Sequence, residues 1–456
     1  MKHMAALLRI FFVTLISFSL VSGIDNFVWS DELPRRISLG TQLQPVTEET
    51  KERLGLKNLN GAQVTSVIPN STAEAAGIKS GDVLLAVGNK RIASIPAVVE
   101  HLATLRGGDE LVLKINRDGN PVELKTFAKE LDRETSVEFE IEYGSVTAPV
   151  GKLRTVLSLP KNATKHRAIL LLGGLGNAFV EHPVADPTGA KNIAYQLTKR
   201  GFAVLRVDKP GCGDSEGGPA RDVDFQSVVD GYIAALRQLK NDPRIDSNHV
   251  YLFGVSMGGV QAPLVAAAES VRGIGIFGAM SMNWLEYIEG TAKRQLKLGG
   301  VTDADITEAL KVQTAGWRAI LEEGLSPDDL FSKANGLGDW SEQVWQEGQY
   351  FSGITYKFFQ QLAKSNIEAA WAKFDGPVIS MWGEMDFVTS KEDHQKVADV
   401  VNAKSPSNAT FVAIPNVDHN LREASSIDDA LKQTGVALSP AVMDAYAKWI
   451  EKLSSN

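Results

Sequence analysis

The chain has 456 residues, more than one ordinary domain holds, so two or three domains are expected. Its hydrophobic fraction of 44% is enough for sizeable cores, and a formal net charge of -8, with Lys and Arg scattered, excludes the basic stripe of a nucleic-acid binder. Cys212 is the sole cysteine, so an internal disulfide is excluded and stability must come from packing.

The first residues read as a signal peptide, residues 1–23. Lys2 and Arg9 make a basic start, residues 10–21 are an apolar run too short for a comfortable membrane span, and Val21-Ser22-Gly23 offers small residues for cleavage. The mature protein is therefore expected outside the cytoplasm, periplasmic or secreted, with an uncleaved N-terminal anchor as the alternative.

Residues 36–129 form a first unit. A strand over 62–68 is followed by a short helix ending at Gly77, a Gly81-Asp82 turn and a strand over 83–87. Residues 96–106 read as a helix and 111–116 as the last strand of the unit. This order closely resembles a PDZ domain, a small β-rich fold, and is most similar to those of bacterial envelope proteases. The resemblance implies that Leu39, Gly40 and Thr41 lie in a carboxylate-binding loop. There the C-terminus of a peptide or protein would be held by backbone N–H groups and pair with the strand that begins at Thr41. His101 falls on the groove helix, with nothing near it in sequence to support a metal or catalytic role. A PDZ fold that only packs on its neighbour is the alternative.

Residues 130–136 are polar and read as a linker that leaves the two units separable. From 137 to 456 the pattern changes. Residues 137–143 and 153–159 are candidate antiparallel strands, and 168–172 is a buried strand running into Gly173-Gly174-Leu175-Gly176. A helix over 190–200, a strand over 202–207, an amphipathic helix over 225–240, and strands at 250–253 and 273–277 then follow. Repeated βα units predict a doubly wound, mostly parallel sheet of the α/β class. About residues 283–373 interrupt the alternation with helical spacing and five of the eight tryptophans, which predicts a helical cap. For each tryptophan, the cap's own core is the favoured place over a pocket wall. Strands at 377–382 and 409–414 and a helix opening at Ser439-Pro440 complete the chain.

Gly254-Val255-Ser256-Met257-Gly258 matches G-x-S-x-G between a buried strand and a helix. Such a turn lifts a serine hydroxyl above the sheet, with helix N–H groups beneath it able to stabilise an oxyanion. From about Val137 onward the chain resembles the α/β-hydrolase superfamily. That resemblance implies a triad in the order Ser, acid, His. Gly383 to Val388 matches the family's G-x-x-D-x-x-V acid loop and gives Asp386, with Glu384 as fallback. Asp418-His419 matches its D-H pair and gives His419. The other histidines fit less well: His166 and His249 precede strands, His394 opens a helix, and His182 is at most a substrate contact. The oxyanion donors implied are the backbone N–H groups of Met257 and Leu175. Gly173 stands where many members have histidine, which removes a side chain that braces this loop. Asp208, Cys212 and Ser215 match a turn that is structural in relatives.

No metal-ligand cluster or dinucleotide fingerprint occurs, so no metal and no cofactor are expected. The reading is an exported serine hydrolase acting on a small-molecule carboxylic ester through an acyl-enzyme, with a PDZ domain for recruitment. A peptidase or amidase, or a thioesterase or acyltransferase, could use the same fold. A catalytically inactive peptide-binding envelope protein is the alternative from another class.

Overall fold

A computed structural model describes residues 32–161, 163–177, 179–181, 189–280, 283–331, 336–432 and 437–454. The expected signal segment and His182 lie outside these residues. Among them, no helix is long and apolar enough to cross a membrane.

The first unit comprises β1 (Thr41–Pro45), α1 (Glu48–Leu54), β2 (Ala62–Val67), α2 (Thr72–Ala76), β3 (Val83–Val87), β4 (Lys90–Arg91), α3 (Ile95–Leu102), β5 (Glu110–Arg117) and β6 (Asn120–Phe127). Its sheet runs β1-β2-β3-β5-β6, with β4 paired to β3, so β1 is an edge strand. An edge leaves N–H and C=O groups free to pair with an added peptide. Gly77 caps α2 at φ 79°, as its place after the short helix predicts. The hairpin β5–β6 turns through Asp118 and Gly119, both at positive φ, where the Asp-Gly pair is at home.

The second unit is built on an eight-stranded sheet of order β16-β15-β12-β11-β9-β10-β8-β7. Its strands are β7 (Phe139–Ala148), β8 (Gly151–Pro160), β9 (His166–Leu172), β10 (Ala203–Val207), β11 (Ile245–Val255), β12 (Gly273–Phe277), β15 (Val378–Gly383) and β16 (Ala409–Ile414). β8 runs antiparallel to both its neighbours, β7 and β10, and all the other pairings are parallel. Along β9 the side chains alternate between two cores, Ala168, Leu170 and Leu172 on one face and Ile169 and Leu171 on the other. The first face is covered by α5 (Phe225–Asn241), α6 (Met257–Ala268) and α13 (Lys391–Lys404), the second by α4 (Ala190–Lys199) and α15 (Pro440–Ser454). α14 (Ile427–Lys432) lies in the connection before α15. This is the doubly wound arrangement expected, although Val137, expected in the first strand, precedes β7 and is exposed.

Between β12 and β15 the chain forms α7 (Trp284–Leu298), α8 (Asp303–Leu321), α9 (Pro327–Phe331), α10 (Leu337–Val344), a small hairpin of β13 (Tyr350–Phe351) and β14 (Ile354–Thr355), α11 (Tyr356–Lys364) and α12 (Ile367–Lys373). Trp317 sits at the centre of an aromatic cluster, its ring 5.2 Å from Trp345 and 5.9 Å from Trp284. All five cap tryptophans are buried, and only Trp284 among them reaches the cleft lining.

The segment 130–136 is not a free tether. Arg35, just before the first sheet, is 1% exposed and inserts between the units. Its guanidinium meets Glu181 and Asp214 of the second unit at 2.8 and 2.7 Å, and the carbonyls of Leu131 and Asp132 in the connection. Glu134 is buried in an ion pair with Arg206 on β10, at 2.7 Å. The separability read from composition gives way to a polar joint whose members are far apart in sequence.

Candidate active site

The site forms where β9, β11 and β12 end. β9 leads on to β10 at one side and its neighbour β11 leads on to β12 at the other, so the two connections diverge, and a crevice opens at such a switch point. Leu172 pairs with Gly254, which brings the Gly173–Gly176 loop beside the turn after β11. Ser256 occupies that turn at φ 52°, ψ -119°, a region costly for a residue with a Cβ. The flanking glycines make it feasible. A Cβ on Gly254 would lie 2.6 Å from the Gly258 carbonyl oxygen, and one on Gly258 2.2 Å from that of Leu172.

His419 follows β16. Its Nε2 lies 3.2 Å from Ser256 Oγ and its Nδ1 2.9 Å from Asp386 Oδ2. A carboxylate only accepts, so Nδ1 carries the proton and Nε2 is free to accept from the serine. Asp386 follows β15, and its carboxylate takes further hydrogen bonds from the backbone N–H of Val388 and Thr389 and from Thr389 Oγ1 at 2.6 Å. Burial works against its ionised form, but the neighbouring His419 and these donors outweigh it and hold Asp386 below the ordinary carboxylate value. For His419, burial opposes the imidazolium, yet Asp386 prevails through charge and hydrogen bond and raises its pKa. Glu384, the fallback acid, is exposed. Met257 opens α6, where its N–H has no intrahelical acceptor. Leu175 lies next to Gly174, whose added Cβ would fall 3.4 Å from Ser256 Cβ. Thus Ser256, His419, Asp386, Met257 and Leu175 come together.

Leu39, Gly40 and Thr41 lie apart from this site, at the start of β1. The Leu39 and Gly40 carbonyls accept from Ala73 and Ile68, and α3 packs against β1. His101 lies on α3. Cys212 is buried, and burial pushes its thiol up to about 12, so it is no nucleophile at neutral pH. Asp208 and Ser215 belong to a buried lattice around Arg154.

Sequence reasoning missed three residues. Thr389 braces the acid. His394, set aside because it opens a helix, is fully buried; its Nε2 accepts from Ala279 N–H at 3.0 Å and its Nδ1 faces the Ser390 carbonyl. It thereby fixes the strand end beside Gly278, where an added Cβ would meet His419 at 3.1 Å. Lys209 reaches under the Gly173–Gly176 loop. Their partners lie on other elements, and no local pattern marks them.

The cleft above Ser256 has a volume of about 630 Å³. Met280, Trp284, Tyr287 and Ile288 wall it on the cap side, and Phe179 and Val180 on another. None of its described lining residues is Asp or Glu, and Lys209 is its one lysine or arginine.

This sheet, turn and cap define an α/β hydrolase, preceded by a PDZ domain. The family described as serine aminopeptidase, S33, matches residues 188–423, and the PDZ domain family matches 38–127. The chain belongs to the S33 serine aminopeptidase family of α/β hydrolases. A probable periplasmic serine endoprotease DegP-like protein of Chlamydia trachomatis is 33% identical over 114 residues, 25% of this chain and 23% of that protein. The periplasmic serine endoprotease DegP of Escherichia coli is 30% identical over 112 residues, 25% and 23% of the two chains. The chain thus spans about a quarter of the length of these curated relatives. Among solved structures, Est1E of Butyrivibrio proteoclasticus with bound ferulic acid aligns at TM-score 0.44 and 18% identity, covering 68% of this chain and 99% of that one. A hypothetical protein, PA2218, of Pseudomonas aeruginosa aligns at 0.43 and 18%, covering 70% and 95%.

Proposed function

We propose that the protein is an exported serine hydrolase that cleaves carboxylic esters, with Ser256 as nucleophile, His419 as base and Asp386 as the acid of the triad. The observation that carries this reading is the hydrogen-bonded chain Asp386–His419–Ser256 at the floor of a cleft with largely apolar walls. Ser256 Oγ attacks the ester carbonyl carbon while His419 Nε2 takes the hydroxyl proton. The carbonyl oxygen gains the charge, and the N–H groups of Met257 and Leu175 stabilise it. Collapse breaks the bond to the alcohol oxygen, which leaves with the proton from His419. Water then repeats the sequence on the acyl-serine and releases the acid. Asp386 holds the tautomer throughout and stabilises the imidazolium.

The family's description raises a second reading, removal of an N-terminal residue from a peptide. An aminopeptidase has to hold its substrate's α-ammonium group, a task suited to carboxylates. The described cleft lining offers none, and the ammonium of its one lysine is engaged by the Gly174 and Gly176 carbonyls, which favours an uncharged acyl group. For location, the basic and apolar start of the chain and the periplasmic relatives of the PDZ region support an envelope setting. The edge strand β1 and the loop Leu39-Gly40-Thr41 would take a peptide's free C-terminus and concentrate a partner or substrate near the cleft.

A fluorophosphonate probe tests the nucleophile: wild type is labelled and Ser256→Ala is not. A panel of p-nitrophenyl esters, thioesters and aminoacyl anilides tests the class. Turnover confined to the aminoacyl anilides would falsify the ester assignment.

A further inference from the structure

Three of the four residues from Gly173 to Gly176 are glycine, so the loop beside Ser256 has wide backbone freedom and almost no side chain to anchor it. Its anchors come from elsewhere. Tyr232 Oη on α5 accepts from the Gly173 N–H at 3.0 Å. Asn177 Nδ2 donates to the Gly353 carbonyl of the cap hairpin at 3.2 Å. Lys209, just after β10, donates through Nζ to the Gly174 carbonyl and, at 2.9 Å, to that of Gly176. The ammonium thus holds the carbonyls on both sides of Leu175.

The geometry has a direct consequence. The Gly174 carbonyl and the Leu175 N–H belong to one peptide plane, and no peptide among the described residues is cis. In a trans peptide the C=O and N–H point in opposite directions. Drawing the carbonyl toward Lys209 therefore turns the Leu175 N–H away from it. A cation on the carbonyl also polarises the unit and makes its N–H a stronger donor. We propose that Lys209 is the positioning residue of the oxyanion hole, gripping the carbonyls that flank Leu175 so that the Leu175 N–H faces the oxyanion formed at Ser256. This rests on the hydrolase reading above.

No charged partner competes for Lys209 among the described residues. Cys212, nearest in charge terms, is a neutral thiol. Asp208 is engaged by Arg154 and by the Val180 N–H. Tyr232 is buried, which keeps its hydroxyl protonated, and His419 lies on another part of the cleft lining. Burial pushes the Lys209 ammonium down to about 8. Above that value the amine keeps two N–H donors but loses its charge, and neutral hydrogen bonds are roughly half as strong as charge-assisted ones. The rate then falls to a lower plateau and does not vanish.

The test uses the full chain and an uncharged p-nitrophenyl ester, with kcat and KM measured from pH 6 to 10. Fluorophosphonate labelling of Ser256 runs in parallel, with thermal unfolding as a check on folding. Lys209→Met should lower kcat by about 100-fold, the order expected for one oxyanion donor, with KM within about threefold. Its profile should lack the alkaline step. Lys209→Arg keeps a cation at every accessible pH, so it should recover much of kcat and also lack the step. A wild-type profile flat from pH 7 to 10 overturns the proposal even if Lys209→Met fails to fold. So does a folded Lys209→Met whose kcat is unchanged, or whose loss is confined to KM, which would make Lys209 a substrate contact. Wild type that is never labelled at Ser256 overturns the hydrolase reading and this proposal with it. Labelled wild type with an unaffected Lys209→Met overturns this proposal alone.

Discussion

Replacing Arg35 by Met keeps the apolar stem of the side chain and removes the charge and every donor. In the folded protein Arg35 is 1% exposed and donates to Glu181, Asp214 and two carbonyls of the connection. Arg154 also contacts Glu181, and it reaches Asp214 at 3.0 Å, so neither carboxylate loses all cationic support. After the change, Arg154 would be the one guanidinium still paired with Glu181, Asp214 and Asp208, with Tyr143 Oη still donating to Glu181 and the Arg36 N–H to Asp214. Breaking a buried ion pair by removing one partner costs about 3–5 kcal/mol, and the remaining arginine places this case near about 3 kcal/mol. That is roughly two powers of ten in the folded-to-unfolded ratio. Seven of the eight tryptophans lie beyond residue 137, so fluorescence during urea unfolding reports on the hydrolase unit, although the mutated residue lies outside it. The Arg35→Met midpoint should fall, and a double-mutant cycle with Glu181→Gln should show losses that do not add. A change below about 1 kcal/mol, or strict additivity, would refute the reasoning and restore the view of residues 130–136 as a free linker.

Asp386→Asn should lower kcat by about 10³- to 10⁴-fold, and because the carboxylate holds the His419 pKa up, the acid limb of the pH–rate profile should move down. The base must be neutral, so wild-type activity is lost as pH falls through a raised His419 value; a limb that stays put in Asp386→Asn points to another titrating group. Ile288→Trp on α7 should narrow the cleft and change the long-to-short acyl preference in kcat/KM by roughly tenfold, whereas a loss of stability with an unchanged ranking would make this wall inert. Gly40→Val should abolish the preference for a free over an amidated peptide C-terminus in fluorescence polarisation, since Gly40 has φ 75° and a Cβ there would lie 2.1 Å from Ser71 Cβ; retained preference would mean that this loop does not read the carboxylate.

What could be read in the sequence follows how local each signal is. The turn at Ser256 announces itself because strand, glycines, serine and helix are contiguous. The sheet order follows from alternating βα units, and the cap from the break in that alternation. β6 escaped notice because its side chains alternate half-buried and exposed without a strong apolar run, although Asp118-Gly119 before it was a legible hairpin signal. Arg35, Lys209 and His394 could not be read. Each is an ordinary polar residue until the fold sets it against groups on another element, and neither spacing nor periodicity encodes that partner.

The joint around Arg35 also orders events in time. Its contacts with Glu181 and Asp214 span 146 and 179 residues. A chain emerging from the ribosome offers the guanidinium long before either carboxylate exists. The local hairpins of the PDZ sheet can close meanwhile, since nearby contacts form without a long loop to close. Glu181 follows Phe179 and Val180 directly, and both residues wall the cleft. Arg154 on β8 and Tyr143 on β7 already hold Glu181 from within the second unit, and Arg35 adds the contact that needs the first unit in place. Slowing the maturation of the N-terminal unit should therefore delay only the contacts that Arg35 adds behind this wall.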